Sequence, residues 1–304
     1  MAAVSKVVGH RGPAIRPATG VVVVLLLVVM AALAPASDAR RARLGTVYAG
    51  PIARKFPMVL KLTRSGRLSS VVLSARAKCD DGDSYHYAQQ AGFADKVPAL
   101  QIGKLTLKGT HLAKTGKFKV DGIDNEPSNN GDSVAIVVAL KGKVTGSKAV
   151  GTLDVKVIAL DPSGTQKYSC DSGSLGWSLA SSKGRIFGGV TSQNTAVEVK
   201  LAPDGSQVDT FAIEWGTLCA PSGGAIGGPT ALFGMPINAG AFDKTTTQTA
   251  GADGSPDATA TLAGTIAGRA ASGTFELNAT FRDASGAATD TCATGSMSWS
   301  AASS

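Results

Sequence analysis

A stretch of sequence that occurs twice decides the fold of this chain. Residues 151–177 are GTLDVKVIALDPSGTQKYSCDSGSLGW, and residues 273–299 are GTFELNATFRDASGAATDTCATGSMSW. The two stretches align without a gap, so that Cys170 coincides with Cys292 and the final tryptophans coincide as well. The chain therefore carries two copies of one structural unit.

The alignment extends upstream of both stretches. After one inserted residue, Cys79 coincides with Cys219, so that each copy holds two cysteines and a tryptophan at matched positions. Self-similarity on this scale is typical of tandem domains. We predict a first domain over residues 45–182 and a second over residues 183–304, each long enough to bury a core of its own.

Apolar residues alternate with polar ones along both copies. Met58, Leu60 and Leu62 occupy every second position of one run, and the aligned Val197 and Val199 do the same. A period of two indicates strands, and glycine-rich turn signals separate these runs at short spacing. We therefore predict an all-β fold of two tandem antiparallel β-sandwiches, of the jelly-roll or immunoglobulin-like type.

The first 36 residues have the pattern of a signal peptide. Their basic start carries three positive charges and no acid: Lys6, Arg11 and Arg16. An apolar run over residues 20–33 follows, and small residues precede Ser37. We predict cleavage there, a short leader over residues 37–44, and a secreted, extracellular or cell-envelope location. The alternative is an uncleaved anchor, the only way in which we expect this chain to meet a membrane, but the run is shorter than the roughly twenty residues of a spanning helix.

All four cysteines follow the predicted cleavage site. An even number of cysteines in an oxidising compartment indicates disulfides. Because matched positions of two copies should pair alike, we predict the bridges Cys79 to Cys170 and Cys219 to Cys292. A zinc site is the alternative, but no cysteine pair has the CxxC spacing, and both histidines after the cleavage site lie in the first copy.

Charge separates the two copies. From residue 37 to 183 there are 22 lysines and arginines against 12 acids, a net charge of +10, whereas residues 184–304 carry five against ten, a net charge of −5. A stretch of the first copy without any acid holds six basic residues: Lys104, Lys108, His111, Lys114, Lys117 and Lys119. We predict that this stretch contacts an anionic cell-surface polymer, without specific recognition of nucleic acid. The alternative is a solvated lysine face that protects a sheet edge.

Two acidic loops occur only in the first copy. One is CDDGDSYHY, which begins at Cys79, and the other is DGIDNEPSNNGD, over residues 121–132. Neither has the DxDxDG spacing of a calcium loop, although calcium remains an alternative. A hydrolase built on Ser133 or on residues 80–83 with a histidine is a further alternative. We predict no enzyme activity, no metal and no cofactor.

The tryptophans alternate with other apolar residues on one strand face. Trp177 lies between Leu175 and Leu179 at a spacing of two, which predicts a core position rather than an exposed stacking platform. A carbohydrate-binding β-sandwich module is an alternative function; it would need an exposed aromatic row or a concave polar face.

The duplicated pattern (Tyr/Phe)-x-Gly … Gly … Cys … Gly-Thr … Cys-x-x-Gly-x-x-x-Trp resembles tandem Cys/Trp-containing β-sandwich repeats of bacterial exported proteins of unknown function. The resemblance covers nearly the whole chain after the leader, and it implies secretion and an all-β fold. It transfers no functional residue. The sequence thus predicts an exported, non-catalytic binding or structural protein that contacts anionic envelope polymers through its basic first domain.

Overall fold

The computed structural model describes residues 5–7, 45–92, 100–102, 105–107, 116–127, 133–249 and 255–304. Every regular element in these ranges is a β-strand, which confirms the predicted all-β class. No helix in them is long and apolar enough to cross a bilayer. The predicted apolar run over residues 20–33 and the leader over residues 37–44 lie outside the described residues.

The strands form two sheets. The N-terminal part contributes β1 Ser5–Val7, β2 Val47–Ile52, β3 Phe56–Leu62, β4 Leu68–Cys79, β5 Ser84–Gly92, β6 Leu100–Ile102, β7 Leu105–Leu107, β8 Lys117–Pro127, β9 Ser133–Thr145, β10 Lys148–Leu160 and β11 Gln166–Ala180. The C-terminal part contributes β12 Ile186–Thr191, β13 Ala196–Leu201, β14 Gln207–Ala220, β15 Ala225–Pro236, β16 Ala241–Gln248, β17 Asp257–Ala267, β18 Ala270–Arg282, β19 Ala288–Ala293 and β20 Met297–Ala302.

The first sheet runs in the order β5-β4-β3-β2-β11-β10-β9-β8-β7-β6. Its pairs are antiparallel, and β4 also pairs with β11 where Cys79 faces Cys170. The second sheet runs in the order β1-β15-β14-β13-β12-β20-β18-β17-β16, and β19 joins β14 to β18 where Cys219 faces Cys292. In this second sheet β1 pairs with residues 225–227 at the edge of β15.

The architecture differs from the predicted sandwich in how the strands are joined. A sandwich stacks two separate sheets, whereas each half of this molecule is one continuous sheet whose pairing closes on itself. In the first half the long β11 makes this possible, because its C-terminal end pairs with β2 and its N-terminal end pairs with β4. In the second half two strands make the corresponding pairings: β20 pairs with β12, and β19 pairs with β14.

Both predicted disulfides are present. Cys79 is bonded to Cys170 and Cys219 to Cys292, and no other cysteine occurs in the chain. The bridges span sequence separations of 91 and 73 residues. On the chain-entropy model, closing loops of this length stabilises each half by about 4 to 5 kcal/mol.

Each half has its own apolar core, with a tryptophan lying over a pair of glycines. Trp177 is 4% exposed, and its ring leaves no room for a side chain on Gly142 or Gly151. A Cβ on these glycines would stand 2.5 and 2.4 Å from the nearest ring atom. These two glycines face each other across β9 and β10. In the second half Gly264 and Gly273 face each other in the same way, and a Cβ on Gly264 would stand 2.7 Å from Trp299.

A third apolar cluster joins the two halves. It contains residues of β2, β3 and β4 from the first sheet and residues 186 and 196 from the second: Val47, Ala49, Val59, Val72, Ile186 and Ala196. Contact is close, because a Cβ on Gly188 would stand 2.7 Å from Val59 Cγ1. The two sheets therefore pack against each other as well as around their own cores.

Candidate functional site

The predicted basic stretch lies only partly within the described residues. Lys104, Lys108, His111 and Lys114 fall outside them, whereas Lys117 and Lys119 are exposed on β8. The backbone of β7, between Lys104 and Lys108, pairs with β8 at residues 122–123.

The two described lysines are half of a larger group. Across the β8–β9 pair, Lys117 faces Lys143 and Lys119 faces Lys141, and all four are exposed. On β8, Lys117 and Lys119 flank the buried Phe118, whose ring stacks on the core tryptophan Trp177 with centroids 6.0 Å apart. We call these four residues the lysine square. The alternation of β8 therefore directs the ammonium groups away from the core.

The square borders a shallow depression of about 600 Å³ on the outer face of the first sheet. Its floor is formed by strand backbone and small side chains, including Thr152 and the half-exposed Val150. One acid lies close by: Asp121 Oδ2 is 2.6 Å from Lys119 Nζ, and both side chains are more than half exposed. An exposed pair of this kind contributes little to stability.

The second half shows what this fold requires at the same four positions. Phe242 and Gly264 lie against Trp299 as Phe118 and Gly142 lie against Trp177. The neighbours that face each other across β16 and β17 there are Ala241 with Thr265 and Asp243 with Ala263. The matched sites carry no lysine. Since lysines directly opposite each other destabilise a sheet, the fold itself does not account for the square.

The acidic loop after Cys79 is a hydrogen-bonded turn. Asp80 accepts hydrogen bonds from the backbone and the hydroxyl of Ser169, and these hydrogen bonds lower the pKa of its carboxyl. Asp81 accepts one from the backbone of Asp83. Among the described residues no group of three or more potential ligands could hold a metal ion. Most of the second acidic loop, residues 124–132, has no described side chains.

His86, one of the two histidines considered for the hydrolase alternative, lies beside a buried carboxylate. This histidine lies on β5 at the junction of the two halves, where its Nε2 is 2.8 Å from Glu214 Oε1, although the angle is not that of a hydrogen bond. Ser74 Oγ donates a hydrogen bond of 2.9 Å to the other oxygen of Glu214. The acid thus lies between serine and histidine, whereas a catalytic triad needs the histidine in the middle. Both Ser74 and Glu214 are fully buried.

Sequence reasoning missed this buried group, because its members come from β4, β5 and β14 and no motif links them. A possible signal was Glu214 itself, a carboxylate within the apolar run FAIEWGTLC of β14.

Among the residues that the structure describes, the aromatic side chains form no exposed row. In the described ranges, one aromatic residue, Phe233, is among the strongly exposed large apolar side chains. Trp177, Trp215 and Trp299 are buried.

Comparison with known proteins adds little to this geometry. No family model matches the chain, and neither does any curated protein. One solved structure, described as a "putative outer membrane protein" from Bacteroides fragilis NCTC 9343, is similar at 13% sequence identity with a TM-score of 0.21. That alignment covers 85% of this chain and 97% of the other. A TM-score this low supports no statement about fold or function.

Proposed function

We propose that this protein is an exported, non-catalytic binding protein of the cell envelope or extracellular space, and that its first domain holds an anionic polymer on the lysine square. One observation carries the proposal: four exposed lysines face each other in two pairs on β8 and β9, whereas the matched positions of the second half carry none.

The lysines of the square repel each other across the β8–β9 pair. Directly opposed like charges cost stability unless a counter-charge lies between them. A polymer with closely spaced phosphate, sulfate or carboxylate groups supplies that counter-charge along its length, and its bound counterions are released as lysines replace them. The sequence prediction adds Lys104, Lys108, His111 and Lys114, which lie outside the described residues.

The test compares two variants with the same loss of charge. The first removes the square: Lys117→Gln, Lys119→Gln, Lys141→Gln and Lys143→Gln. The second removes four exposed lysines elsewhere, three in the first domain and one directly after it: Lys78→Gln, Lys156→Gln, Lys167→Gln and Lys183→Gln. Retention on immobilised heparin and on immobilised polyphosphate is measured across a salt gradient. We expect the first variant alone to elute early, with the slope of log K against log salt reduced by about 3 units.

A reciprocal graft places the square on the second half: Ala241→Lys, Asp243→Lys, Ala263→Lys and Thr265→Lys. We expect immobilised heparin and polyphosphate to retain this variant at higher salt than the parent chain. Equal losses in the two glutamine variants would show that net charge alone determines retention, and the proposal would then be wrong.

A further inference from the structure

A cleft of about 430 Å³ opens where the two halves meet. Its walls come from the β2–β3 turn, β3 and β4 of the first sheet and from β14, β15, β16, β17 and β18 of the second. The volume lies within the range of about 300 to 1,000 Å³ that small-molecule sites occupy. Both halves contribute to its lining.

The deep wall of the cleft is apolar. Trp215, Ile226 and Leu277 line it from the second half, and Phe56 lines it from the first; all four side chains are buried. Trp215 donates a hydrogen bond of 2.8 Å from its Nε1 to Thr230 Oγ1, so its polar atom is satisfied within the protein. A ligand in contact with this wall therefore meets hydrocarbon and aromatic surface.

The first-half side of the cleft is cationic. Arg54 and Lys55 are exposed in the β2–β3 turn, and the half-buried Arg76 lines the cleft from β4. Among the described lining residues there is no aspartate and no glutamate. The cleft thus has cations on one side and an apolar wall on the other.

The turn that presents Arg54 has an unusual composition. Lys55 donates its backbone N–H to Ile52 O at 2.9 Å, and both residues between them have positive φ, 48° at Ala53 and 62° at Arg54. Turns of this type favour Asn-Gly or Gly-Gly, because side chains with a Cβ are strained there. In the second half, the residue with positive φ between β12 and β13 is the more tolerant Asn194. The strain at Arg54 indicates a role for its side chain beyond the turn.

We propose that this cleft binds an amphipathic anion, a single apolar chain that ends in a carboxylate or phosphate. The chain lies against Trp215, Ile226 and Leu277, and the head group lies between Arg54 and Lys55. This site is separate from the lysine square and does not depend on the polymer-binding function proposed above.

The test uses calorimetric titration of the whole protein with four probes below their micelle concentrations: decanoate, decyl phosphate, octyl glucoside and decyltrimethylammonium. All titrations are repeated in the variant that lacks the lysine square, so that anions cannot bind there instead. We expect the two anions to bind at least tenfold more tightly than the uncharged and cationic probes. Acetate and inorganic phosphate, which lack the chain, are expected not to bind.

Two variants assign the head-group position. Arg54→Gln with Lys55→Gln is expected to weaken decanoate binding at least tenfold, whereas Arg64→Gln, in the exposed β3–β4 turn, is expected to leave it unchanged. Arg54→Gly is expected to weaken binding and raise the melting temperature together, because glycine relieves the strained φ.

One further variant tests the apolar wall. Ala258→Phe, which adds a large side chain to the lining of the cleft, is expected to abolish binding of both anions. Binding of decanoate no tighter than that of octyl glucoside, an unchanged affinity in the Arg54→Gln, Lys55→Gln variant, or no binding of any probe would overturn the proposal.

Discussion

A buried carboxyl group makes stability depend on pH between about 4.5 and 7. Glu198 is 8% exposed on β13, on the same strand face as Ala196 in the cluster between the halves. Burial raises the pKa of this carboxyl to about 7 from an ordinary value of 4.5, although Lys200 acts in the opposite direction. The folded state therefore holds this proton more tightly than the unfolded state does. The resulting stabilisation is full below about pH 4.5 and is lost as the pH rises through about 7, and it is worth on the order of 3 kcal/mol.

We predict that Glu198→Gln removes this pH dependence. An amide has no charge to desolvate, so the variant should gain stability over the parent chain as the pH rises between about 4.5 and 7. Urea unfolding at a series of pH values measures the difference. Glu276→Gln, at an exposed position of β18, is the control and should follow the parent chain. Parallel pH profiles of Glu198→Gln and the parent chain would contradict the prediction.

At the scale of a strand pair, the tryptophans specify glycine beneath them. A Cβ at residue 142 would stand 2.5 Å from the ring of Trp177, which is closer than atoms can approach. We predict that Gly142→Ala lowers the free energy of unfolding by about 1 to 3 kcal/mol, because the ring must leave its place in a packed core. Gly264→Ala should do the same under Trp299 in the second half.

Gly176→Ala provides the matched control for these two variants. Residue 176 lies on β11, is exposed, and has nothing within 4 Å of a new Cβ. Alanine there should be neutral or slightly stabilising, because glycine weakens a strand interior. Denaturant unfolding of the three variants measures these effects, and equal free energies for Gly142→Ala and Gly176→Ala would refute the packing argument.

Alternation predicted which residues of a strand face the core, but it could not predict which strands pair. Met58, Leu60 and Leu62 are buried as the period of two requires, and the aligned cysteines face each other in the predicted pairs. The closure of each sheet could not be predicted, because it depends on which distant strands pair: β11 with both β2 and β4 in the first sheet, and β19 and β20 with β14 and β12 in the second. For the same reason the sequence revealed Lys117 and Lys119 as basic residues but did not place them opposite Lys141 and Lys143.

At the scale of the whole molecule, the two halves share a buried polar contact. Glu214 of the second half lies between Ser74 and His86 of the first, and residues so far apart in sequence could not be connected before the two sheets were seen together. We predict that Glu214→Ala costs about 2 to 4 kcal/mol, because it leaves the buried hydroxyl of Ser74 without its acceptor and removes the carboxylate beside a nearly buried imidazole. Ser74→Ala should cost about 1 kcal/mol.

Thermal unfolding followed by calorimetry tests this coupling. The parent chain should unfold in one transition, and Glu214→Ala should separate the transitions of the two halves or lower the single one. Glu276→Ala is the exposed control. If Glu214→Ala unfolds at the temperature of that control, the contact does not hold the halves together.

The positions of the two disulfides also affect how the molecule withstands proteases. The first bridge closes the chain from residue 79 to 170, and the second closes it from residue 219 to 292. A single cut within either closed loop would leave both fragments attached to the same covalent molecule, held by strands on either side of the bridge. The connections from β5 to β9, which carry the basic stretch and the second acidic loop, all lie within the first closed loop. A cut at any point between residues 79 and 170 would therefore leave one covalent molecule until the first disulfide is reduced.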